Sequence, residues 1–420
     1  MNVRNSAAVL AAVAVVMGAA VPAAADSSPS PSPSQQALPT ALYGDGDPQY
    51  DGVWRQSLAL LAQHTAGVEP PKSSVDWLAG QQCADGSFAP YRADTGTACA
   101  AETMVDTNQT AAAVQALAAL GGHDAVTGKA VDWLKSVQNK NGGWGYTAGG
   151  DSDANSTSVV IGALAAAGEE PAEVVKGGKS PYDALLKLAL PCDAEGDGAG
   201  AFAFQPDKKG ELVANADATA AGVLGSLGAG LVVEPGKGGS KDAGCKKADT
   251  PEQAAANGAA HLAGVLAEDD HLVSALPGSE DQPDYGNTAD AVVALAAQGV
   301  TGQAAKSAAW LEENAAEWAA QSGPAAYAQL IFAAHATGTD PRAFGGTDLV
   351  KQLSATGPAA EKSSPTAADG KAGQDEKDEA KDGSDSGSGL WWTLSIVGVC
   401  LVAAVGAGFL LRGRSRRQQS

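Results

Sequence analysis

The chain has 420 residues, 44% of them hydrophobic, 18% charged and 5% aromatic, which excludes a wholly disordered protein and allows one large domain or two ordinary ones. With 27 Lys and Arg against 48 Asp and Glu, the formal charge is −21, and so acidic a chain repels phosphate backbones, which argues against nucleic acid as a partner. Fifty-two Gly and abundant Ala, with comparatively few Val, Ile and Thr, predict helices rather than sheet.

In chain order, residues 1–25 read as an export signal. Arg4 supplies the positive start, residues 7–20 form an apolar stretch too short to span a bilayer, and Ala23, Ala24 and Ala25 give the small-residue cleavage pattern. Residues 26–42 follow as a linker in which 27–34 alternate Ser and Pro, an extended, polyproline-like pattern. Residues 43–357 are the expected folded ectodomain. Residues 358–389 mix Lys, Asp, Glu, Gly and Ser with little to bury, the composition of a disordered acidic stalk. The 22 residues of 390–411 carry no charge and reach roughly 33 Å as a helix, enough to cross the hydrocarbon core. Trp391 and Trp392 stand at the outer end of that stretch, and Arg412, Arg414, Arg416 and Arg417 in the tail 412–420 hold the other end inside. The expected location is the cell membrane, with one pass, the ectodomain outside and the C-terminus in the cytoplasm.

Of five cysteines, Cys400 falls within the apolar C-terminal stretch. Cys83, Cys99, Cys192 and Cys245 would face an oxidising compartment and admit three pairings. Cys83 with Cys99 and Cys192 with Cys245 are favoured, because each pair brackets one candidate insertion. Oxidised cysteines also leave no thiolate for catalysis or for a Cys-based zinc site.

One pattern recurs through the ectodomain: a polar Asp/Asn cluster, then Thr, then an almost wholly apolar run that ends at Gly eleven residues later. It pairs Thr110 with Gly121, Thr157 with Gly168, Thr219 with Gly230 and Thr288 with Gly299; Gln56 with Gly67 and Tyr327 with Gly338 keep the spacing without the Thr. Each copy reads as a helix with a polar start and a Gly stop, apolar all round and therefore buried all round. Between the copies, residues 74–82, 129–138, 182–190, 252–266, 304–318 and 347–354 read as helices with one wet face. Six buried helices alternating with about six half-buried ones predict an all-α, two-layered ring, and closure is favoured over an open solenoid or a plain bundle because an open array would expose its apolar ends.

Two of the outer helices lead into Gln, three residues, Gly, one residue and an aromatic. These are Gln82 to Gly86 and Phe88, and Gln138 to Gly142 and Trp144, the second preceded by Trp133 and Leu134. The motif resembles the Gln–Trp repeat of squalene and oxidosqualene cyclases and the related repeat of protein prenyltransferase β subunits, over roughly residues 50–340. The resemblance implies an α/α toroid. It implies less about chemistry. Class II terpenoid cyclases use a buried Asp in an Asp-x-Asp-Asp-Thr-Ala motif, and the nearest stretch here runs from Asp151 to Thr157, without adjacent aspartates, leaving Asp153 as the one candidate acid. The Asp, Cys and His zinc ligands of prenyltransferases have no counterpart, and the large aromatics that line a carbocation cavity are scarce. No cofactor is required by this reading.

In a parallel ring, the positions before each Thr would meet at one mouth: Asp106 and Asn108, Asp153 and Asn155, Asn215 and Asp217, and Asp284. These are also preferred helix-capping residues, and capping accounts for each one singly. Collectively, parallel helix N-termini point N–H donors and positive dipole ends at a common opening. Loops carrying Tyr91, Trp144, Tyr146, Phe202, Phe204 and Tyr285 empty there as well, although Phe88 and Trp144 also read as packing residues. Such a mouth suits a mid-sized polar–apolar ligand, held by Asp106, Asn108, Thr110, Trp144, Tyr146, Asp153, Asn155, Asn215, Asp217, Asp284 and Tyr285. Secreted cobalamin carriers of the intrinsic-factor type resemble this ring, with a second small domain that this chain lacks, and imply a corrinoid as ligand. Asp193, Glu195, Asp197 and Gly198 imitate half a calcium loop, but Phe204 stands where the closing Glu should be. His64, His123, His261, His271 and His335 have no metal-ligand spacing.

Three functions are therefore expected, in order: a cell-surface ring that binds a small ligand without transforming it, such as cobalamin passed to a membrane uptake system; an exported enzyme of the prenyltransferase or terpenoid-cyclase kind acting on isoprenoids, with Asp153 as acid; and an extracellular protein-interaction module.

Overall fold

The computed structural model describes residues 38–358 apart from 195–196, 236–244 and 275–280. The export signal, most of the Ser/Pro linker, nearly all of the stalk, the apolar stretch 390–411 and the basic tail lie outside the described residues. Among the described residues no helix is long and apolar enough to cross a membrane.

Among the described residues thirteen α-helices carry the fold: α1 (Gly52–Thr65), α2 (Lys72–Gly80), α3 (Thr107–Leu120), α4 (Asp124–Ser136), α5 (Ala154–Ala166), α6 (Pro181–Leu188), α7 (Ala216–Ser226), α8 (Pro251–Leu266), α9 (Tyr285–Gln298), α10 (Thr301–Asn314), α11 (Ala316–Ser322), α12 (Pro324–Thr337) and α13 (Leu349–Ala355). A two-stranded antiparallel ribbon, β1 (Leu272–Ser274) with β2 (Gln282–Asp284), sits just before α9.

The six apolar copies are α1, α3, α5, α7, α9 and α12. Each packs on the next, and α12 packs back on α1, so the contacts close a cycle, consistent with an α-rich toroid. The outer helices α2, α4, α6, α8, α10 and α13 each rest on two neighbouring members of that cycle. The closing seam joins the two ends of the domain. Gln63 in α1 donates to Ser354 Oγ (3.1 Å) in α13, and the Gly44 N–H donates to the Thr356 carbonyl (2.8 Å). Tyr43, fully buried, donates its hydroxyl to Gln63 (2.8 Å) at the same seam.

The Gln–Gly–aromatic motif locks one repeat to the next. The Gln82 amide bridges the carbonyls of Gly86 (3.1 Å) and Val126 (2.8 Å), and that of Gln138 bridges Gly142 (2.7 Å) and Val174 (2.9 Å). Gly142 (φ 93°) lies so close to the next outer helix that a Cβ would sit 2.1 Å from the Ser180 carbonyl oxygen. Only Gly permits both the φ and the approach. The aromatic then plugs the loop: Phe88 and Trp144 are fully buried, and the Trp144 indole donates to the Leu134 carbonyl (2.7 Å). Gly200 and Phe202 occupy the equivalent place in a third copy whose Gln is absent.

Two disulfides are formed, Cys83–Cys99 and Cys192–Cys245.

The repeat misplaces some helix ends. Inner helices begin three residues before the Thr, and α7 stops at Ser226 rather than running on to Gly230, with Gly228 (φ 67°) turning the chain. The expected outer helix 304–318 is divided at Ala315 into α10 and α11.

Candidate functional site

Four inner helices start in the same way. Asp106, Asp153, Asn215 and Asp284 are N-caps whose side chains accept from the backbone N–H three residues on, at 2.7, 2.6, 2.7 and 3.1 Å. The Thr one turn later is a staple. Thr110, Thr157, Thr219 and Thr288 each accept from the backbone N–H that closes the preceding outer-to-inner connection, those of Phe88, Trp144, Phe202 and Leu272, at 3.0 to 3.1 Å. The repeated polar cluster is therefore architecture first: it ties the loop to the helix it feeds. It also takes one first-turn N–H in each of the four helices, a donor that an anion would otherwise use. In α1, Gln56 replaces the Thr and holds the N-terminal segment instead, accepting from the Tyr43 N–H (2.9 Å) and donating to the Ala41 carbonyl (3.1 Å).

These helix starts are brought to one mouth. Asn155 Nδ2 donates to Asp217 Oδ2 (2.5 Å), joining α5 to α7. Asp217 in turn acts electrostatically on Asp290 of α9, and Gln329 of α12 donates to both Asp290 oxygens (3.2 and 3.1 Å). Asp284 acts on Asp217 and Asp290 alike. Asn155, Asp217, Asp290 and Gln329 thus span four consecutive inner helices.

The inner helices are not sealed all round. Asn155 and Val159, Asp217, Ala221 and Leu224, and Ala325 and Gln329 are only half-buried, and their i, i+4, i+7 spacing puts each set on one helix face. Asp217 and Asp290 are surrounded by protein yet keep partial access to solvent, as groups lining a well do. Burial raises the Asp290 pKa to about 7, with Asp217 adding to the rise, Gln329 opposing it and Asp284 adding again. Asp217 is raised by burial and by Asp284, against the hydrogen bond from Asn155. No cation figures among the groups acting on either carboxylate. They do not form a metal centre: no group of three or more His, Cys, Asp or Glu converges on a point among the described residues.

An aromatic ladder borders the well at the start of α9. Trp318 stacks on Tyr285 (5.5 Å between centroids), Tyr285 on Trp310 (5.2 Å) and Trp310 on His271 (4.1 Å). All four rings are half-buried.

The sequence-derived candidates divide accordingly. Asn108, Asn155, Asp217, Asp284 and Tyr285 stand at or in the mouth with partial exposure, and Asn215 is exposed beside them. Asp106 is buried, its carboxylate taken by the backbone N–H and the side-chain amide of Gln109 (2.7 and 3.0 Å), and its pKa is raised by burial to about 6. Tyr146 adjoins it, pushed to about 12 by its own burial and by that carboxylate. Asp153 has both oxygens engaged, by the Ser156 N–H (2.6 Å) and hydroxyl (2.8 Å), and burial lifts it to about 6. Thr110 is a staple and Trp144 a plug. Asp290 and Gln329 escape the motif-based reading, as do Trp310, Trp318 and His271. The signal for the first two was a lone charged or amide residue inside an otherwise apolar helix.

The opposite mouth is covered. After α7, residues 229–235 run across the ring: the Leu231 N–H donates to Gln115 Oε1 (2.8 Å) of α3, Gly230 lies against Gly162 of α5, and Glu234 reaches His335 (3.7 Å) of α12. Two shallow clefts flank this strap. One is walled by Leu61, Gln115, Gly162 and Val232, the other by Thr65, Pro235, Ile331 and Arg342. The apolar first cleft is the gap beside the strap; the carboxylates and the aromatic ladder are at the other end.

No family model matches the chain, and no curated protein matches it. Solved structures similar to it include an ent-copalyl diphosphate synthase from Streptomyces platensis, at 16% identity and a TM-score of 0.44 over 68% of this chain and 50% of that one, so the match spans half the synthase's length. Also similar are a sugar epimerase from a ruminal bacterium (16% identity, TM-score 0.41, 63% of this chain and 77% of that one) and a protein from Actinoplanes (19%, 0.28, 60% and 80%).

Proposed function

We propose that this chain is a membrane-anchored, cell-surface ring that binds a small donor-bearing ligand in the well at its N-terminal mouth, without transforming it. Residues 1–25 would direct export and 390–411 would hold the ring at the membrane. The observation that carries the reading is the pair Asp217 and Asp290, deep among protein atoms, open to solvent and without a cation to answer them. A buried carboxylate is costly unless something donates to it; Asn155 donates to Asp217 and Gln329 to Asp290, and a ligand's N–H or O–H groups would fill the acceptor capacity these amides leave. Each cap side chain uses one first-turn N–H and adds carboxylate or amide oxygens, so the mouth is rich in acceptors. A corrinoid's side-chain amides fit that arrangement as donors; its phosphate does not.

The test is titration of the full chain in detergent solution with cyanocobalamin, following its visible absorption and the protein's melting temperature. A spectral shift with a rise in melting temperature, both lost in Asp217→Asn, supports the corrinoid version. No response at high-micromolar concentration refutes it.

A catalytic reading is favoured by one observation, the Asp290 pKa of about 7, which makes it a proton donor available near neutrality. If the ring is a prenyltransferase-like or cyclase-like enzyme, Asp290 rather than the fully capped Asp153 is the acid. Turnover of a polyprenyl substrate that survives Asp153→Asn and is abolished by Asp290→Asn would establish it.

A further inference from the structure

We propose that the rim around the N-terminal mouth is a docking face for a protein partner, one that presents a loop with a basic side chain between apolar ones. Among the described residues seven large apolar side chains are exposed, and five of them stand on this rim. Tyr50 (65% exposed) precedes α1 by two residues, and Met104 (59%) and Val213 (50%) precede the caps of α3 and α7 by two. Val273 (54%) pairs with Pro283 beside the Asp284 cap, and Tyr146 (38%) lies over α3, its carbonyl accepting from the Thr107 N–H (2.9 Å). Isolated exposed apolar residues are ordinary; five gathered at the starts of four of the six inner helices are not. Tyr and Met are also residues that interface cores favour.

Size and charge select the occupant. Neighbouring helices pack about 8–10 Å apart, so opposite members of a six-helix ring are roughly 16–20 Å apart. A small molecule in the well cannot touch Tyr50 and Val213 together, because α1 and α7 face each other across the cycle. A rim of about 30 Å with its side chains encloses roughly 700 Å², close to one partner's share of a standard interface. Asp217, Asp284 and Asp290 lie inside that rim with no cation among the groups acting on Asp217 and Asp290. A second copy of the chain would oppose one acidic well to another and is disfavoured, as is an anionic lipid surface. A basic side chain entering the well while apolar neighbours cover the rim satisfies both features.

This shares the carboxylates Asp217 and Asp290 with the small-ligand reading and goes beyond it through the rim residues, which lie outside the well. The probe is a synthetic peptide, acetyl-Leu-Phe-Gly-Arg-Gly-Phe-Leu-amide, whose seven residues extend to at most about 24 Å. It is titrated calorimetrically into the full chain in detergent solution at low salt. The expected result is saturable binding, at least tenfold weaker when citrulline replaces arginine. Met104→Asp and Val213→Asp should each weaken it at least fivefold with the melting temperature unchanged, since both side chains are exposed. Absence of binding, equal binding of the citrulline peptide, or binding indifferent to both rim substitutions would overturn the proposal. Cobalamin binding without peptide binding would overturn this proposal alone, and peptide binding without any response to cobalamin would overturn the small-ligand reading alone.

Discussion

The two mouths of the ring are made by the two ends of the same six helices, and they differ in almost every physical respect. At the N-terminal mouth the helix starts bring together carboxylates, amides and stacked aromatics that are only half-buried. At the C-terminal mouth the strap 229–235 lies across the opening, held by Gln115 and by glycine-to-glycine contact with α5. Helix polarity explains the first difference. Capping favours Asp and Asn at every start, so a parallel ring concentrates acid at one end whether or not a ligand exists. Capping does not explain Asp290, which sits past the first turn of α9 where no orphan N–H needs it. The comparison separates acid that builds the fold from acid that the fold carries at a cost.

The covered mouth should be the more fragile in packing. A Cβ at Gly162 would lie 2.7 Å from the Gly230 Cα and 3.1 Å from the Ala229 carbonyl oxygen, both backbone atoms. Gly162→Val is expected to destabilise the ring by about 3 kcal/mol, or to expel the strap, by overpacking. Thermal unfolding with proteolysis at 229–235 distinguishes the two routes. An unchanged melting temperature and an uncleaved strap would mean that the strap is not seated on α5. Gln115→Ala acts on the same contact more gently. It removes the acceptor of the Leu231 N–H and a donor to the Val159 carbonyl (3.1 Å), for an expected loss of about 2 kcal/mol. At the open end the corresponding structural change is Thr157→Val, which strips the Trp144 N–H of its acceptor in a buried loop. Its expected cost is about 1.5 kcal/mol, read from denaturant unfolding. A loss below about 0.5 kcal/mol would show that the Thr staples are incidental to the repeat.

Much of this architecture is legible in the sequence, and the illegible part has a physical reason. The eleven-residue Thr-to-Gly spacing exposes the six inner helices because stapling and termination repeat in every copy. Gln138, Gly142 and Trp144 announce the repeat junction because amide bridge, close approach and plug each demand one residue type. The favoured cysteine pairing is legible because each bridge spans one insertion. The strap is not legible: Leu231, Val232 and Val233 continue the apolar composition of α7, and only the φ of Gly228 separates them from the helix. Asp290 and Gln329 are obscured for a different reason. A motif defined by what recurs draws attention to the caps, and the residues that distinguish one helix from its siblings fall outside it. The aromatic ladder combines the β1 approach (His271), the start of α9, α10 and α11, so no local spacing reveals it.

The smallest expected effect is the one that best separates the two kinds of acid. Asp290→Asn removes a carboxylate whose pKa is raised to about 7 in the folded ring from an unfolded value near 4. Between those values the folded chain holds a proton that the unfolded chain has released, so stability falls as pH rises from about 4 to 7 and the full penalty is present above 7. Asp106 and Asp153, raised to about 6, add to the same trend. The depressed carboxylates Asp183, Asp207 and Glu252 work in the opposite direction, but their stabilisation is lost only below about pH 4 and does not mask the window above it. The native protein should therefore melt higher at pH 5 than at pH 8. Asp290→Asn should raise the pH 8 melting temperature by about 2–4 °C, a gain near 1 kcal/mol once partial exposure is allowed for, and should leave pH 5 nearly unchanged. Asp153→Asn should behave otherwise: the Asn oxygen still accepts from the Ser156 N–H as a cap, while the carboxylate oxygen that accepts from the Ser156 hydroxyl is replaced by an NH2 group, which offsets what relief the lost charge brings. A melting curve equally flat with pH in the native protein and in Asp290→Asn would mean that Asp290 is solvated like a surface residue, and the contrast between the acidic mouth and the strapped one would lose its sharpest term.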